Sequence, residues 1–402
     1  MYDVAALRAR IPALSSGTAF FDGPGGSQTP AEVGQAIAAA LSAPLANRGT
    51  INRAAQNAED IVLAARQAVA DLLGADARGV VFGRSMTQLA YDFARTLAGG
   101  WGPGDEVVVT RLDHDAHIRP WVQAAQRAGA QVRWTDFDPE TGELTAADIA
   151  AVLTDRTRLV AVTGASNLIG TRPPLAEIAA LVHERGALFS VDAVHLTAHV
   201  PIDLGSGPTR PDLLFCSPYK FLGPHCGVLA ADPALLETLH PDKLAPSTDQ
   251  VPERFEYGTL PYELLAGVTA AVDVIASLAP SQTGGRRAAI LAAMEQVEAH
   301  EDALRHELEH GIAQLPAITQ RARAARRTPT LLLTFDHIAP DAVADALAER
   351  DINAPAGSFY ALEASLRLGL GEAGGVRVGL APYTDAADVA RLLEGLQAAV
   401  KS

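Results

Sequence analysis

The chain has 402 residues, 48% hydrophobic and 20% charged, with a formal net charge of −15. That length suits two domains, or one large domain with a smaller appendage. The negative balance argues against nucleic acid or an anionic membrane as partner, so any anionic ligand has to be held by a local pocket.

In chain order, "MYDVAALRARIPAL" carries Asp3, Arg8 and Arg10 and no apolar run of signal-peptide length, and no later stretch approaches a membrane span. A cytoplasmic protein is expected. From about residue 55 amphipathic helices alternate with short β-branched runs. The helix "AEDIVLAARQAVADLLGA" precedes the strand "GVVFG", and "TQLAYDFARTLAGG" precedes "DEVVVTRL". The helix "RPWVQAAQRAGA" leads to the strand "QVRWTDF", and a helix from Ala146 leads to "RLVAVTGA". The helix "LAEIAALVHERGA" is followed by the strands "LFSVDAV" and "DLLFCS". Strands apolar on both faces and joined by helices predict a parallel sheet covered on both sides. After about residue 280, "PSQTGGRRAAI" reads as a break, followed by a helix from Arg287 to about Leu315. The remainder reads as a small α+β domain, its last helix opening with Thr384 as N-cap.

Ligands of open α/β sheets bind at strand C-termini, and polar residues fall there. Asp192 ends "LFSVD" with His195 three positions on; Asn167 follows "VAVTGAS"; His114 closes "VVVTRLDH". Ser85 and Thr87 sit between a strand and a helix, and Ser217 and Lys220 follow "DLLFC". Of 32 basic residues only three are lysines (Lys220, Lys243 and Lys401), yet Lys220 stands in the apolar run "FCSPYKFLGPHCGVL". Burial lowers a lysine pKa and makes its amine a nucleophile for an aldehyde. A buried aspartate can hold a pyridinium nitrogen protonated, which makes the ring an electron sink. A Ser-x-Thr turn entering a helix offers donors to a phosphate. Together these describe a pyridoxal 5'-phosphate site. Each residue keeps an ordinary rival: a surface lysine, helix caps for Asp192, Ser85 and Thr87, a satisfied histidine, or a structural ion pair for Arg377.

Nearly end to end the chain resembles group V (class V) aminotransferases of fold type I, in their cysteine-desulfurase-like branch. Nine motifs in family order carry the resemblance, among them "FFDGPGG", "GRSMTQ", "LDHDAHIRPW", "VDAVH", "SPYKFLGPHCGVL", "YGTLPY" and "GGVRVGLAPYTDAADVARLL". It implies an α/β fold: a large domain with a mainly parallel seven-stranded sheet between helices, and a small C-terminal α+β domain. The expected division is a segment 1–20 packing with the small domain, a cofactor-binding domain 21–280 and a small domain 281–402.

By position the resemblance makes Lys220 the Schiff-base lysine and Asp192 the partner of the pyridine nitrogen. Asn167 and His195 match residues near the ring hydroxyl, and His114 the ring-stacking residue that can move a substrate proton. Ser85, Met86 (through its backbone), Thr87 and Ser217 match the phosphate cradle. Gly258 and Thr259 match a pair that reaches the partner subunit's phosphate site, which implies a homodimer. Arg377 matches the receiver of the substrate carboxylate, a task suited to a bidentate guanidinium. Arg48 of "NRGT" matches an arginine near the site mouth, or is simply solvated.

The pattern departs in two places. Desulfurases carry a nucleophilic cysteine on a mobile loop, but "INAPAGSFYALEASLRLGLGEAGGVR" has none, and the chain's two cysteines, Cys216 and Cys226, flank Lys220 in a stretch expected to be buried strand. Tyr219 stands before the lysine where desulfurases usually have histidine. The expected activity is therefore elimination of the C–S lyase type on an amino acid. Transamination and epimerisation are the alternatives, and a catalytically retired cofactor-binding fold is the remote one. Phe359 and Tyr360 are expected to line the substrate pocket or the small-domain core.

Overall fold

The computed structural model describes residues 2–205, 210–279 and 283–401. After a short strand β1 (Ala19–Phe20), seven strands build one sheet: β2 (Val80–Gly83), β3 (Glu106–Thr110), β4 (Gln131–Thr135), β5 (Thr157–Thr163), β6 (Leu188–Asp192), β7 (Leu213–Cys216) and β8 (Gly227–Ala231). Their order is β2-β8-β7-β6-β5-β3-β4, and β8 alone runs against its neighbours. The period of two sorts the side chains of the central strands onto two faces. Val108, Val160, Val162, Phe189, Val191 and Leu214 face one core, against the helices Arg53–Leu73, Leu175–Glu184 and Tyr262–Ala276. Val107, Val109, Leu159, Ala161, Leu213 and Phe215 face the other, against Met86–Ala98 and Arg119–Ala128. The mainly parallel, doubly covered sheet expected from the apolar runs is the one observed.

Five further strands follow: β9 (Ile318–Arg321), β10 (Thr330–Phe335), β11 (Ile352–Asn353), β12 (Ala356–Gly357) and β13 (Gly375–Gly379). Four of them form an antiparallel sheet in the order β12-β13-β10-β9, while β11 pairs in parallel with β1. Leu331, Leu333, Val376 and Val378 share a core with Leu304, Leu308, Leu392 and Leu396. Arg377, between two inward valines, therefore points to the opposite face, toward the large sheet. The first residues of the chain reach this part: the Tyr2 hydroxyl donates to the Pro382 carbonyl at 2.6 Å, and Arg8 pairs with Asp385 and Asp388.

Some element ends differ from the sequence reading. The long helix runs Gly285–Ile312, not from Arg287 to Leu315. The last helix, Ala386–Ala399, is capped by Asp385 in a reciprocal box with Asp388, not by Thr384. Thr384 instead turns its hydroxyl back to accept the Ala381 N–H at 2.9 Å. Two acidic residues three apart satisfy both ends of the box, which a threonine one position earlier cannot. Cys226 lies just ahead of β8 rather than within it. The expected boundary between residues 280 and 281 lies outside the described residues. Among the described residues, no helix is long and apolar enough to cross a membrane.

One buried ion pair ties the helix Arg53–Leu73 to the sheet. Arg66 makes two hydrogen bonds to Glu256, at 2.8 and 2.7 Å, and donates to the Val80 carbonyl; Glu256 also accepts the Phe82 N–H at 2.8 Å. Both side chains are almost fully buried. Glu256→Ala leaves the buried Arg66 only Glu253, at 3.3 Å, and the Val80 carbonyl, so it is expected to cost about 3 kcal/mol, seen as a lowered urea midpoint.

Candidate active site

The strands deliver their last residues to one end of the large sheet, where a cavity of about 670 Å³ opens. Lys220, His114, Asp192, Asn167, His195 and Arg377 all line it. Met86 and Thr87 border it too, at the start of their helix. The cavity thus joins residues more than 290 positions apart, from both sheets.

Lys220 ends a tight turn, Pro218–Lys220, directly after β7. Its Nζ donates to the Pro24 carbonyl and lies 4.6 Å from the centre of the Tyr219 ring. Burial, then the neighbouring Arg377 charge, lowers its pKa to about 7, against the pull of Asp22 and Asp192. Arg377 is equally enclosed. Its Nη2 meets Asp22, its Nη1 donates to the Asn167 carbonyl at 3.2 Å, and its guanidinium lies 3.7 Å from the Phe359 ring centre.

His114 accepts the Ala116 N–H at Nδ1, 3.0 Å away, so in the neutral ring the hydrogen sits on Nε2. Burial, followed by the charges of Lys220 and Arg377, holds its pKa down at about 3. Asp192 accepts the Val194 N–H at 2.9 Å, and burial raises its carboxyl above the usual range. A cation beside it would offset that cost. His195 lies with Nε2 between the Thr328 and Thr330 hydroxyls, at 3.0 and 2.9 Å. Burial keeps it uncharged, far below the ordinary histidine value.

Apart from Asp115 Oδ1, which meets Arg119 Nε at 2.7 Å, three buried polar atoms on the lining residues have no partner among the described residues: Asn167 Oδ1, His195 Nδ1 and Arg377 Nε. Unpaired buried polar atoms are costly, so their grouping around one cavity marks a place built for a polar ligand. Ser85 is the N-cap of Met86–Ala98, accepting the Gln88 N–H at 3.1 Å. The free N–H groups of that helix start open at the cavity edge, where an anion is stabilised. Gly227 on β8 permits this placement, because a Cβ there would come within 2.2 Å of the Ser85 backbone.

Four sequence-predicted residues do not line the cavity: Ser85, Ser217, Gly258 and Thr259. Ser217 is buried at the end of β7, whereas Gly258 and Thr259 are exposed, in a turn with Gly258 at φ +79°. Arg48 is not among the lining residues and pairs with Glu59 and Glu253. The sequence reading gave no role to Asp22 or Pro24, although "FFDGPGG" contains both. Phe359 and Tyr360 do line the cavity, and both have positive φ, 53° and 56°. Two adjacent non-glycine residues in that region are strained, and such strain gathers at functional sites. Cys216 and Cys226 are buried and lie outside the lining. Burial pushes the Cys216 thiol far up and the Cys226 thiol up to about 12.

Comparison with known proteins agrees with this architecture. The family described as Aminotransferase class-V matches residues 19–392. An uncharacterized protein of Mycobacterium tuberculosis is 33% identical over 398 residues, covering 98% of each chain. A probable cysteine desulfurase of Streptomyces coelicolor is 27% identical over 431 residues, covering 99% of this chain and 97% of its own. The crystal structure of the cysteine desulfurase CsdA from Escherichia coli superposes with a TM-score of 0.87 at 25% identity, covering 100% of this chain and 99% of that one. The fold is also that of a C-DES mutant with glycine covalently linked to its PLP cofactor, at a TM-score of 0.80 and 21% identity, over 97% of this chain and 98% of that one. With the match running almost from end to end, this chain belongs to the class-V aminotransferase family, among proteins similar to cysteine desulfurases.

Proposed function

We propose that the protein is a pyridoxal 5'-phosphate enzyme that eliminates a β- or γ-substituent from an amino acid, as a C–S lyase does, without a loop thiol. The observation that carries this reading is the site's inventory. A buried lysine with a lowered pKa, a buried aspartate and a buried arginine share one cavity, while both cysteines are buried outside its lining. A thiolate relay needs an exposed, low-pKa cysteine. The cofactor is pyridoxal 5'-phosphate, and the three unpaired buried atoms and the open helix start fit its polar groups.

In this reading Lys220 would hold the cofactor by its aldehyde, and Asp192 would hold its ring nitrogen. Asn167 and His195 serve the ring hydroxyl, and Ser85, Met86, Thr87 and Ser217 hold the phosphate. Gly258 and Thr259, exposed and away from their own cavity, complete that site in the partner of a cytoplasmic homodimer. The large cofactor-binding domain is 21–280, with the segment 1–20 packing on the small domain 281–402.

Once bound, the cofactor supplies an electron sink for negative charge at the substrate α-carbon. Arg377 orients the substrate by its carboxylate. Lys220 Nζ, with a pKa of about 7, is matched to taking the α-proton near neutral pH. His114 is not: its Nδ1 lone pair is occupied and its Nε2 carries hydrogen, so it donates a hydrogen bond at the ring face or to a leaving group. Epimerisation requires a second base, and this tautomer disfavours it. Transamination needs the same proton carrier, so product analysis separates it from elimination.

Supplied with an S-substituted cysteine, the enzyme is expected to release pyruvate and ammonia in equal amounts without an added 2-oxo acid. An absolute requirement for a 2-oxo acid would instead identify a transaminase. Lys220→Ala is expected to lose about 10²–10⁴-fold in turnover and all borohydride-fixed cofactor on its peptide.

The pH dependence follows from the neutral amine being the nucleophile. Reconstitution of the cofactor-free protein should speed up as pH rises through about 7, rather than near the ordinary lysine value of 10.5. Arg377→Gln removes a cation that holds the Lys220 pKa down, so it should move that midpoint upward. Stopped-flow absorbance at a series of pH values reads both.

A further inference from the structure

The turn Asp22–Gly26 engages both cations of the site, yet the activity proposed above gives it no part. Pro24 takes the Lys220 amine through its carbonyl, and Asp22 takes Arg377 through Oδ1. The turn is tightly made: Gly25 and Gly26 both donate to the Asp22 carbonyl, at 2.8 and 3.0 Å. A side chain at Gly25 would collide with the Asp22 carboxylate, its Cβ coming within 2.1 Å.

The contact with Arg377 is incomplete in an informative way. Nε and Nη2 form one edge of a guanidinium, the edge that a carboxylate grips with two parallel hydrogen bonds. Asp22 holds Nη2 alone, and Nε beside it is buried with no partner among the described residues. The third nitrogen, Nη1, is already taken by the Asn167 carbonyl. Asp22 therefore occupies half of the edge that an incoming carboxylate needs, and the unpaired Nε favours a ligand that fills both positions. Asp22 also has room to leave. It lines the site cavity and, with Gly25 and Tyr219, a neighbouring cavity of about 550 Å³. Its side chain is 29% exposed, against 3% for Arg377.

We infer that Asp22 is an internal carboxylate that the substrate's α-carboxylate displaces from Arg377, making it a specificity-determining residue. An amine that lacks a carboxylate cannot drive this exchange and leaves the pair intact. The inference rests on the assignment of Arg377 as the receiver of the substrate carboxylate.

The test uses the cofactor-loaded protein and two probes that differ by one carboxylate, glycine and methylamine, each titrated by the change in the cofactor's absorption band. Asp22→Asn keeps the shape of the side chain and removes the competing charge. The expected result is an apparent Kd for glycine several-fold lower than in the wild type, with that for methylamine unchanged. A glycine Kd that is unchanged or higher overturns the exchange and makes Asp22 a permanent support of Arg377. An equal shift for both probes also overturns it, because the effect would not depend on the carboxylate. Asp22→Ser is the second variant, should the amide disturb folding. Arg377→Gln separates the two levels: if it leaves the glycine Kd unchanged, the assignment of Arg377 itself falls.

Discussion

The site depends on two cations held side by side in a low-dielectric cavity. Lys220 and Arg377 are both buried; burial lowers the pKa of each, and the Arg377 charge lowers that of Lys220 further. Like charges this close are tolerated only where carboxylates and carbonyls surround them. Asp22, Asp192, the Pro24 carbonyl and the Asn167 carbonyl do so here. The reward is chemical: an amine with a pKa near 7 and a guanidinium with an unpaired donor, both facing a space meant for an anionic ligand.

Holding that cluster requires a rigid frame. The large sheet ends β5, β6 and β7 side by side, which places Asn167, Asp192 and Lys220 along one edge. Strand β13 belongs to the other sheet, and its alternation, with Val376 and Val378 turned into their own core, aims Arg377 across the gap. The strained pair Phe359–Tyr360 closes the remaining side, with the Phe359 carbonyl fixed by Asn167 and the Tyr360 carbonyl by the Asp115 N–H. Rigid packing on both sides is what lets the cations stay close without relaxing toward solvent.

Much of this was legible in the residues because it follows local rules. Burial on both faces makes a strand continuously apolar, so β3, β5, β6 and β7 announced a covered parallel sheet. A lone lysine in an apolar run stands out in a chain with three lysines. Helix ends were less secure: the capping box chose Asp385 over Thr384 because a second carboxylate three residues on could answer it. Asp22 and Pro24 escaped notice because a turn such as "DGPG" reads the same whether it faces water or a buried guanidinium.

The sequence by itself determined the type of sheet, the family and the set of residue types that chemistry would need. Those depend on periodicity and on motifs carried within single segments. Only the tertiary structure decided which oxygen meets which nitrogen: that Asp22 holds half of an edge of Arg377, and that the proton of His114 sits on Nε2. Such facts join residues as far apart as 22 and 377. Hydrogen bonding and desolvation act over a few ångströms, and no local pattern encodes which distant groups the fold will bring within that range.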